Sequence, residues 1–278
     1  MPTVLITGAA RGIGRATATT LAAKGWDVLA GVRRAEDGEA LAAENDRIRH
    51  VLLDVTNAEH LAALPDALPE RLDALVNNAG IAVMGPIEGL QLDNLRHQLE
   101  VNVVGQAGVT QAALPALRAA RGRIVFVSSV SGRVAQPMMG AYNASKFALE
   151  GMADAMRMEL HPWGIRVSLV EPAQTDTDMW RGAEEQFDRD EAALTEDSRQ
   201  LYAKHLAATR KMIPMSQKMA SPVDGVVGAI EKALTSDRPR ARYVPGALPR
   251  VQATLADMTP TRVLDASLRK VQGIPGEL

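Results

Sequence analysis

Apolar positions along the chain fall into two alternating rhythms. One consists of short runs rich in β-branched residues: TVLIT (3–7), DVLAGV (27–32), IRHVLLDV (48–55), LDALVNN (72–78), RIVFVSS (123–129) and IRVSLVEP (165–172), with ARYVPG (241–246) as a weaker seventh. Most are continuous rather than alternating, the pattern of strands covered on both faces. Helical stretches lie between them, such as GRATATTLAAKG (14–25), with Gly25 placed to stop the helix. Strands alternating with helices predict an α/β fold: a parallel sheet with right-handed crossovers. No repeat or Pro/Gly/Ser linker divides the sequence, so one domain over 1–278 is expected. The segment 179–218 departs from the rhythm. It is charged and helical in pattern, and it falls between the sixth and seventh strands. Insertions after strand ends commonly build the mouth of a site, which predicts a lid; a solvated helical pair without function is the alternative.

The turn after the first run is ITGAARGIGRA, which supplies Gly8, Gly12 and Gly14 between a strand and a helix. Glycine permits a tight turn and a close approach of backbone to phosphate. A helix N-terminus then offers free N–H groups and partial positive charge to a pyrophosphate. The spacing is G-x-x-x-G-x-G rather than G-x-G-x-x-G, and three glycines could serve turn geometry alone. The strand–turn–helix setting favours a dinucleotide. An acidic residue closing the second strand would hold the ribose 2′-OH of NAD; Arg33 and Arg34 follow Val32 instead, and Arg11 sits in the glycine turn. Guanidinium groups suit a 2′-phosphate, so NADP(H) is favoured, with NAD(H) as the other candidate. Asp54 could accept a hydrogen bond from adenine, or could cap a helix in DVTNAE.

Composition narrows the class. With 278 residues, 46% of them hydrophobic, the chain can bury a substantial core. A net charge of −2 from 31 basic and 33 acidic residues advertises no nucleic-acid partner. The absence of cysteine excludes disulfide and thiolate chemistry. The stretch from Val101 to Leu117 is too short and too polar to span a bilayer, being broken by Asn102, Gln106, Gln111 and Pro115. MPTVLITGAA lacks the layout of a signal peptide, and a cytoplasmic protein is expected.

AYNASK (141–146) contains one of only three tyrosines. Tyr142 and Lys146 stand at i and i+4, side by side on a helix. A phenol is a poor acid–base group at neutrality, but a nearby ammonium stabilises the phenolate. Lowering its pKa by about three units takes about 4 kcal/mol. Lys146 and the positive ring of an oxidised nicotinamide are the two charges available. Such a tyrosine can protonate a carbonyl or deprotonate an alcohol. The pair alone is also an ordinary helix pairing. It gains weight from Ser129, thirteen residues earlier at the end of the fifth run, where ligands bind in open α/β sheets. Ser128 and Ser131 compete for the same role. Asn102 in VNVVG could orient a water behind Lys146, or simply bond backbone within its helix.

Together these residues resemble the short-chain dehydrogenase/reductase family, from Thr3 to about Thr177 and more weakly to Gly246. The motifs are TGAARGIG (7–14), NNAG (77–80), the set Asn102, Ser129, Tyr142 and Lys146, and EPAQTDT (171–177). The resemblance implies a Rossmann-like doubly wound parallel sheet of about seven strands. It implies that Ser129 polarises the substrate oxygen and Tyr142 is the general acid or base. Lys146 would acidify Tyr142 and hold the nicotinamide ribose, and Asn102 would maintain a relay water. It further implies cofactor contacts from Gly8, Arg11, Gly12, Ile13, Gly14, Arg33, Asp54, Val55, Asn78, Ala79 and Gly80, and from Pro172, Thr175 and Thr177. Relatives usually pair through the tyrosine helix and the one before it, implying a homodimer or homotetramer. Ala144, Ala148, Gly151 and Ala155 suit such packing, or an ordinary core face. Ala173 departs from the family pattern, which has glycine there, and puts the conformation of that loop in question.

The substrate pocket is expected from Val130, Met138, Met139, Met179 and Trp180, joined by Met212 and Met215 from the lid. Methionines are apolar and adaptable, which predicts a hydrophobic ketone, aldehyde or alcohol of steroid, retinoid or aryl-ketone type. Arg133 and Arg181 are the cations close enough in sequence to argue otherwise. A nucleotide-sugar epimerase or dehydratase would share the Tyr/Lys pair, but with a longer chain and a different glycine spacing. A catalytically idle cofactor-sensing regulator is the reading from another class. His97 and His161 have no partner at metal-ligand spacing, so no metal is expected. The NAS sequence at 143–145 lies inside the expected catalytic helix and is read as chance.

Overall fold

The structure, a computed structural model, describes residues 1–274; the last four of the expected 1–278 unit lie outside the described residues. Seven parallel strands form one sheet in the order β3-β2-β1-β4-β5-β6-β7. They are β1 (Thr3–Thr7), β2 (Asp27–Val32), β3 (Ile48–Leu52), β4 (Ala74–Asn77), β5 (Arg123–Val127), β6 (Arg166–Val170) and β7 (Arg242–Tyr243). The helices between them are α1 (Gly12–Ala23), α2 (Ala35–Ala42), α3 (Ala58–Ala67), α4 (Leu92–Leu99), α5 (Gly105–Ala120) and α6 (Gly140–Glu159). After β6 come α7 (Asp178–Arg181), α8 (Ala183–Ala192), α9 (Glu196–Leu201), α10 (Ala203–Lys218) and α11 (Asp224–Thr235). β7 is followed by α12 (Ala247–Met258) and α13 (Thr261–Val271). The strand order reverses direction between β1 and β4, so the C-terminal ends of those strands open a crevice.

Side-chain alternation divides the core between the two faces of the sheet. Val4, Ile6, Val28, Ala30, Val76 and Val125 pack with Leu21 of α1 and Ile230 of α11. Leu5, Leu29, Leu75, Ile124 and Phe126 face the other way, against Leu64, Val109, Leu117 and Leu149 of α3, α5 and α6. Both faces of the central strands are buried, which is why those strands read as unbroken apolar runs, whereas the edge strands β3 and β7 are partly exposed. A third cluster lies outside the sheet. Phe187, Leu194, Leu206 and Ile213 of the α8–α10 segment cover Met84 and Met138, with Met139, Trp180 and Tyr202 packed alongside. Polar contacts fasten this segment to the loop after β4: Met84 N–H donates to Asp190 at 2.9 Å, and the Tyr202 hydroxyl donates to Glu88 at 2.6 Å.

The strands are shorter than the apolar runs suggest. Val55 and Val244 are buried but lie beyond the strand ends, so their hydrophobicity reports burial rather than pairing, while Leu53, just past β3, still donates its N–H to the Val32 carbonyl at 2.7 Å. Asp54 is not a helix cap: Asn57 caps α3 through Glu59 and His60 N–H, and Asp54 Oδ1 instead accepts from Thr56 N–H at 2.9 Å and from its hydroxyl at 2.8 Å. Ala173 is not among the residues with positive φ, so its methyl imposes no strain on the loop after β6. Among the described residues Met138 is one of two non-glycine residues in the left-handed region, at φ 63°, and its carbonyl accepts from Gly85 N–H at 2.8 Å. Among the described residues no helix is long and apolar enough to cross a membrane.

Candidate active site

The glycine turn lies at the reversal point and is locked from three sides. Gly8 and Gly12 adopt φ 63° and 56°, which only glycine adopts freely. The Thr7 hydroxyl accepts from the N–H groups of Asn78 and Ala79, both at 2.9 Å. The Asn78 amide returns the contact, donating to the carbonyls of Thr7 at 3.0 Å and Gly8 at 3.2 Å. A Cβ on Gly14 would stand 2.6 Å from Asn78 Nδ2 and closer still to the Gly8 carbonyl oxygen. Arg11, the N-cap of α1, makes no side-chain capping bond. A Cβ on Gly12 would come within 3.4 Å of Thr177 Cβ, so the turn faces the loop after β6 across a gap that a side chain would fill. Free N–H groups at a helix start beside a glycine-lined gap fit the pyrophosphate of a dinucleotide.

The three arginines take different positions. Arg34 is bound to Asp37 at 2.8 and 2.9 Å. Arg11 and Arg33 also act on that carboxylate by charge, so all three guanidinium groups gather beside the end of β2. Burial alone would raise the Asp54 carboxyl; Thr56 outweighs it with two hydrogen bonds, helped by the charge of Arg33, and holds the group below its usual range.

Ser129, Tyr142 and Lys146 converge at the C-terminal end of β5. Ser129 follows that strand by two residues, and its hydroxyl faces the Tyr142 phenol. Its oxygen also accepts from Ser131 N–H at 3.1 Å and approaches the Pro172 carbonyl at 3.3 Å. Of the three serines in FVSSVSG, Ser129 is therefore the one at the phenol. The Lys146 ammonium is buried, donates to the Val127 carbonyl at 2.8 Å and sits 5.6 Å from the centre of the Tyr142 ring. Burial pushes Lys146 down to about 8, against the pull of Glu150 one turn further along α6. Burial also pushes the Tyr142 phenol up, with Ser129 working the other way.

Asn102 stands in a single π-helical turn, Glu100–Val104, rather than in regular α-helix. Both of its amide hydrogens are used, on the Ile81 carbonyl at 3.0 Å and the Ser145 hydroxyl at 3.0 Å, and its Oδ1 accepts from Ile81 N–H at 2.9 Å. One lone pair of Oδ1 remains for a water. Asn102 belongs to a buried polar row that sequence reading did not assemble. Gln98 holds Val83 N–H and the Ile81 carbonyl, both at 2.8 Å; Gln106 holds the Ala79 carbonyl at 2.8 Å; Thr110 accepts from Asn77 at 2.8 Å. The available signal was four polar residues at four-residue spacing. In α-helix each such step over-rotates by about 40°. The π turn absorbs one residue and keeps the row aligned on the loop after β4.

The expected substrate residues divide. Met138 is buried, and Met139 and Trp180 are partly buried against the α8–α10 cluster. Val130 is half-buried, whereas Met179 and Met215 are exposed at 46% and 49% and stand outside that cluster. Met84, Phe187 and Leu194 belong to it instead. Arg133 is engaged by Glu171 and Asp257, and Arg181 by Asp176 and Asp178. Both are thus already paired with carboxylates.

The chain belongs to the short-chain dehydrogenase family, whose model matches residues 2–188. It is 32% identical to an NADPH-dependent 3-dehydrocapnine reductase of Ornithobacterium rhinotracheale, with 94% of each chain covered. It is 34% identical to retinol dehydrogenase 5 of Mus musculus, covering 99% of this chain and 90% of the relative. A short-chain dehydrogenase of Burkholderia cenocepacia solved in complex with NADP superposes with a TM-score of 0.75 at 28% identity, over 96% of this chain and 97% of that one. The protein is thus an NAD(P)-dependent oxidoreductase that interconverts carbonyl and alcohol groups. Replacing Gly14 by alanine is expected to destabilise the fold by about 1–3 kcal/mol or more, read by urea unfolding, and to abolish NADPH binding in a fluorescence titration.

Proposed function

We propose that the protein is an NADP(H)-preferring ketone or aldehyde reductase, and alcohol dehydrogenase in reverse, for a hydrophobic substrate of steroid, retinoid or aryl-ketone type. The observation that carries this reading is the apolar third cluster, whose Met138 and Met139 stand just ahead of Tyr142, with Arg133 and Arg181 each paired to carboxylates. The retinol dehydrogenase relative is in keeping with it. Residues 1–278 act as one domain in which 179–218 is the lid.

When bound, the nicotinamide cofactor exchanges a hydride with the substrate carbon. Gly8, Arg11, Gly12, Ile13 and Gly14 cradle its phosphates; Asp54, Val55, Asn78, Ala79 and Gly80 line the adenosine side; Pro172, Thr175 and Thr177 meet the nicotinamide side. Arg33 and Arg11 take the 2′-phosphate, the anion that their uncommitted guanidinium groups suit. Ser129 donates a hydrogen bond to the substrate oxygen. Tyr142 transfers its phenolic proton to that oxygen in reduction and removes it in oxidation. Lys146 stabilises the phenolate left behind and holds the ribose. Asn102, through its remaining lone pair, anchors the water that replaces the proton.

The protein acts in the cytoplasm as a homodimer or homotetramer. Ala144, Ala148 and Gly151 are exposed on α6 rather than forming a core face, and Phe147 beside them is 45% exposed, which favours close packing of a second copy there. The small-molecule carbonyl or alcohol is its partner in chemistry; nucleic acid is not.

Tyr142→Phe should lower turnover by about 10²–10⁴-fold while keeping NADPH affinity, measured by cofactor absorbance across a panel of ketones. Unchanged turnover defeats the assigned acid, and turnover confined to short anionic ketones defeats the apolar pocket. Lys146 carries its charge below pH of about 8 and loses it above. The kcat/KM for carbonyl reduction is therefore expected to be flat at lower pH and to decline as pH rises through that value. Arg33→Ala should weaken NADPH binding by about tenfold or more and leave NADH binding nearly unchanged, as read by parallel fluorescence titrations.

A further inference from the structure

Behind the catalytic lysine lies a buried group of charges that the reaction as described does not use. Glu150 is 7% exposed and Glu171 is fully buried. Arg242 of β7 reaches Glu150 at 3.0 Å, Glu171 at 3.2 Å and Asp154 at 2.7 Å. Arg133 reaches Glu171 at 3.2 Å and is paired with Asp257 of α12. Ser128 faces Glu150 from the end of β5. One carboxylate oxygen of Glu150, Oε1, is buried without a hydrogen-bond partner. Gly132 lets the chain after β5 lie directly on this turn of α6: a Cβ there would stand 2.9 Å from Glu150 Cγ and 3.1 Å from the Lys146 carbonyl oxygen.

Two buried carboxylates side by side oppose each other's ionisation, and burial opposes both. Nothing in packing alone favours such an arrangement over apolar residues of the same size. Its position gives it a use. Tyr142, Lys146 and Glu150 occupy three successive turns on one face of α6. Glu150 is one turn from the ammonium but about 12 Å along the axis from the residue bearing the phenol. Its field is therefore felt more at Lys146 than at Tyr142.

We propose that Glu150 is a positioning residue for the catalytic pair: its carboxylate keeps the buried Lys146 ammonium charged, while Arg242 holds that carboxylate ionised and fixed against α6. This rests on the catalytic reading of Tyr142 and Lys146. Burial pushes Glu150 upward, as does Asp154; Ser128 and Arg242 counter this. Burial and the neighbouring Glu150 push Glu171 upward, with Arg133 and Arg242 opposing. Glu150 is the charged neighbour that supports the Lys146 ammonium; Glu171 is not. Glu171 is thus the internal control, sharing the arginine brace without the effect on lysine.

The test compares Glu150→Gln, Glu171→Gln and wild type in two measurements across pH: kcat/KM for reduction of a ketone substrate, and NADPH dissociation constants by fluorescence without turnover. Glu150→Gln is expected to move the alkaline midpoint down by about one pH unit in both. Glu171→Gln is expected to lower the thermal midpoint while leaving the pH midpoint in place. Should Glu150→Gln fail to fold, Glu150→Asp, which withdraws the carboxylate by one methylene, is expected to move the midpoint by less in the same direction. An unmoved midpoint in the Glu150 variants, or equal movement in both Gln variants, overturns the proposal and leaves Glu150 a structural residue. A wild-type protein that reduces no carbonyl counts against the functional reading, and the binding titration then decides the role of Glu150 by itself.

Discussion

A single ammonium group, held out of water, organises the working end of this sheet. Lys146 donates to the carbonyl of Val127, the last residue of β5, and stands beside the Tyr142 ring. That contact ties α6 to the strand end from which Ser129 emerges. Ser129 in turn meets the Pro172 carbonyl after β6. Three segments distant in sequence are thereby referenced to one point. Keeping a charge there is costly, since burial alone depresses Lys146 well below an ordinary lysine. The charge of Glu150, one turn further along α6, offsets part of that cost.

Order around this point comes from a row of buried amides, each with at least one partner, although Gln106 Oε1 and Asn77 Oδ1 are left without one. The loop after β4 has no ladder of its own, yet Gln98, Asn102 and Gln106 bind Val83, Ile81 and Ala79 in turn. Asn78 closes the glycine turn from the opposite side. Buried amides with their partners in place define one arrangement, because any slip would strand several donors at once. The segment above is built differently. α8–α10 attach through methionine, phenylalanine and leucine, with Asp190 and Tyr202 as local fasteners. An apolar seam of this kind can part and reclose without leaving many polar groups unpaired.

Legibility in the sequence tracked the range of the interactions concerned. The central strands were visible because both of their faces are buried, and the glycine turn because its chemistry is local. Strand ends were overrun at Val55 and Val244, where apolar residues are buried beyond the strand ends. Asp54 looked like a helix cap, but Asn57 is three residues closer to α3. The apolar cluster of the 179–218 segment was the least readable part. Met179 and Met215 are exposed, while Phe187 of the same segment and Met84 from the loop after β4 are buried in it. Glu150 carried no signal at all, since its meaning depends on Arg242 and Glu171, residues 92 and 21 positions away.

The wide turn at Glu100–Val104 bears on how this region can change over time. Because it carries one residue more than a regular turn, point substitutions cannot iron it out; only a change in chain length can. Losing a single residue there would swing Gln106 and Thr110 by about 100° relative to Gln98. The stretch between α4 and α5 should therefore drift in side-chain identity at its exposed positions while its length stays fixed among relatives that keep the row.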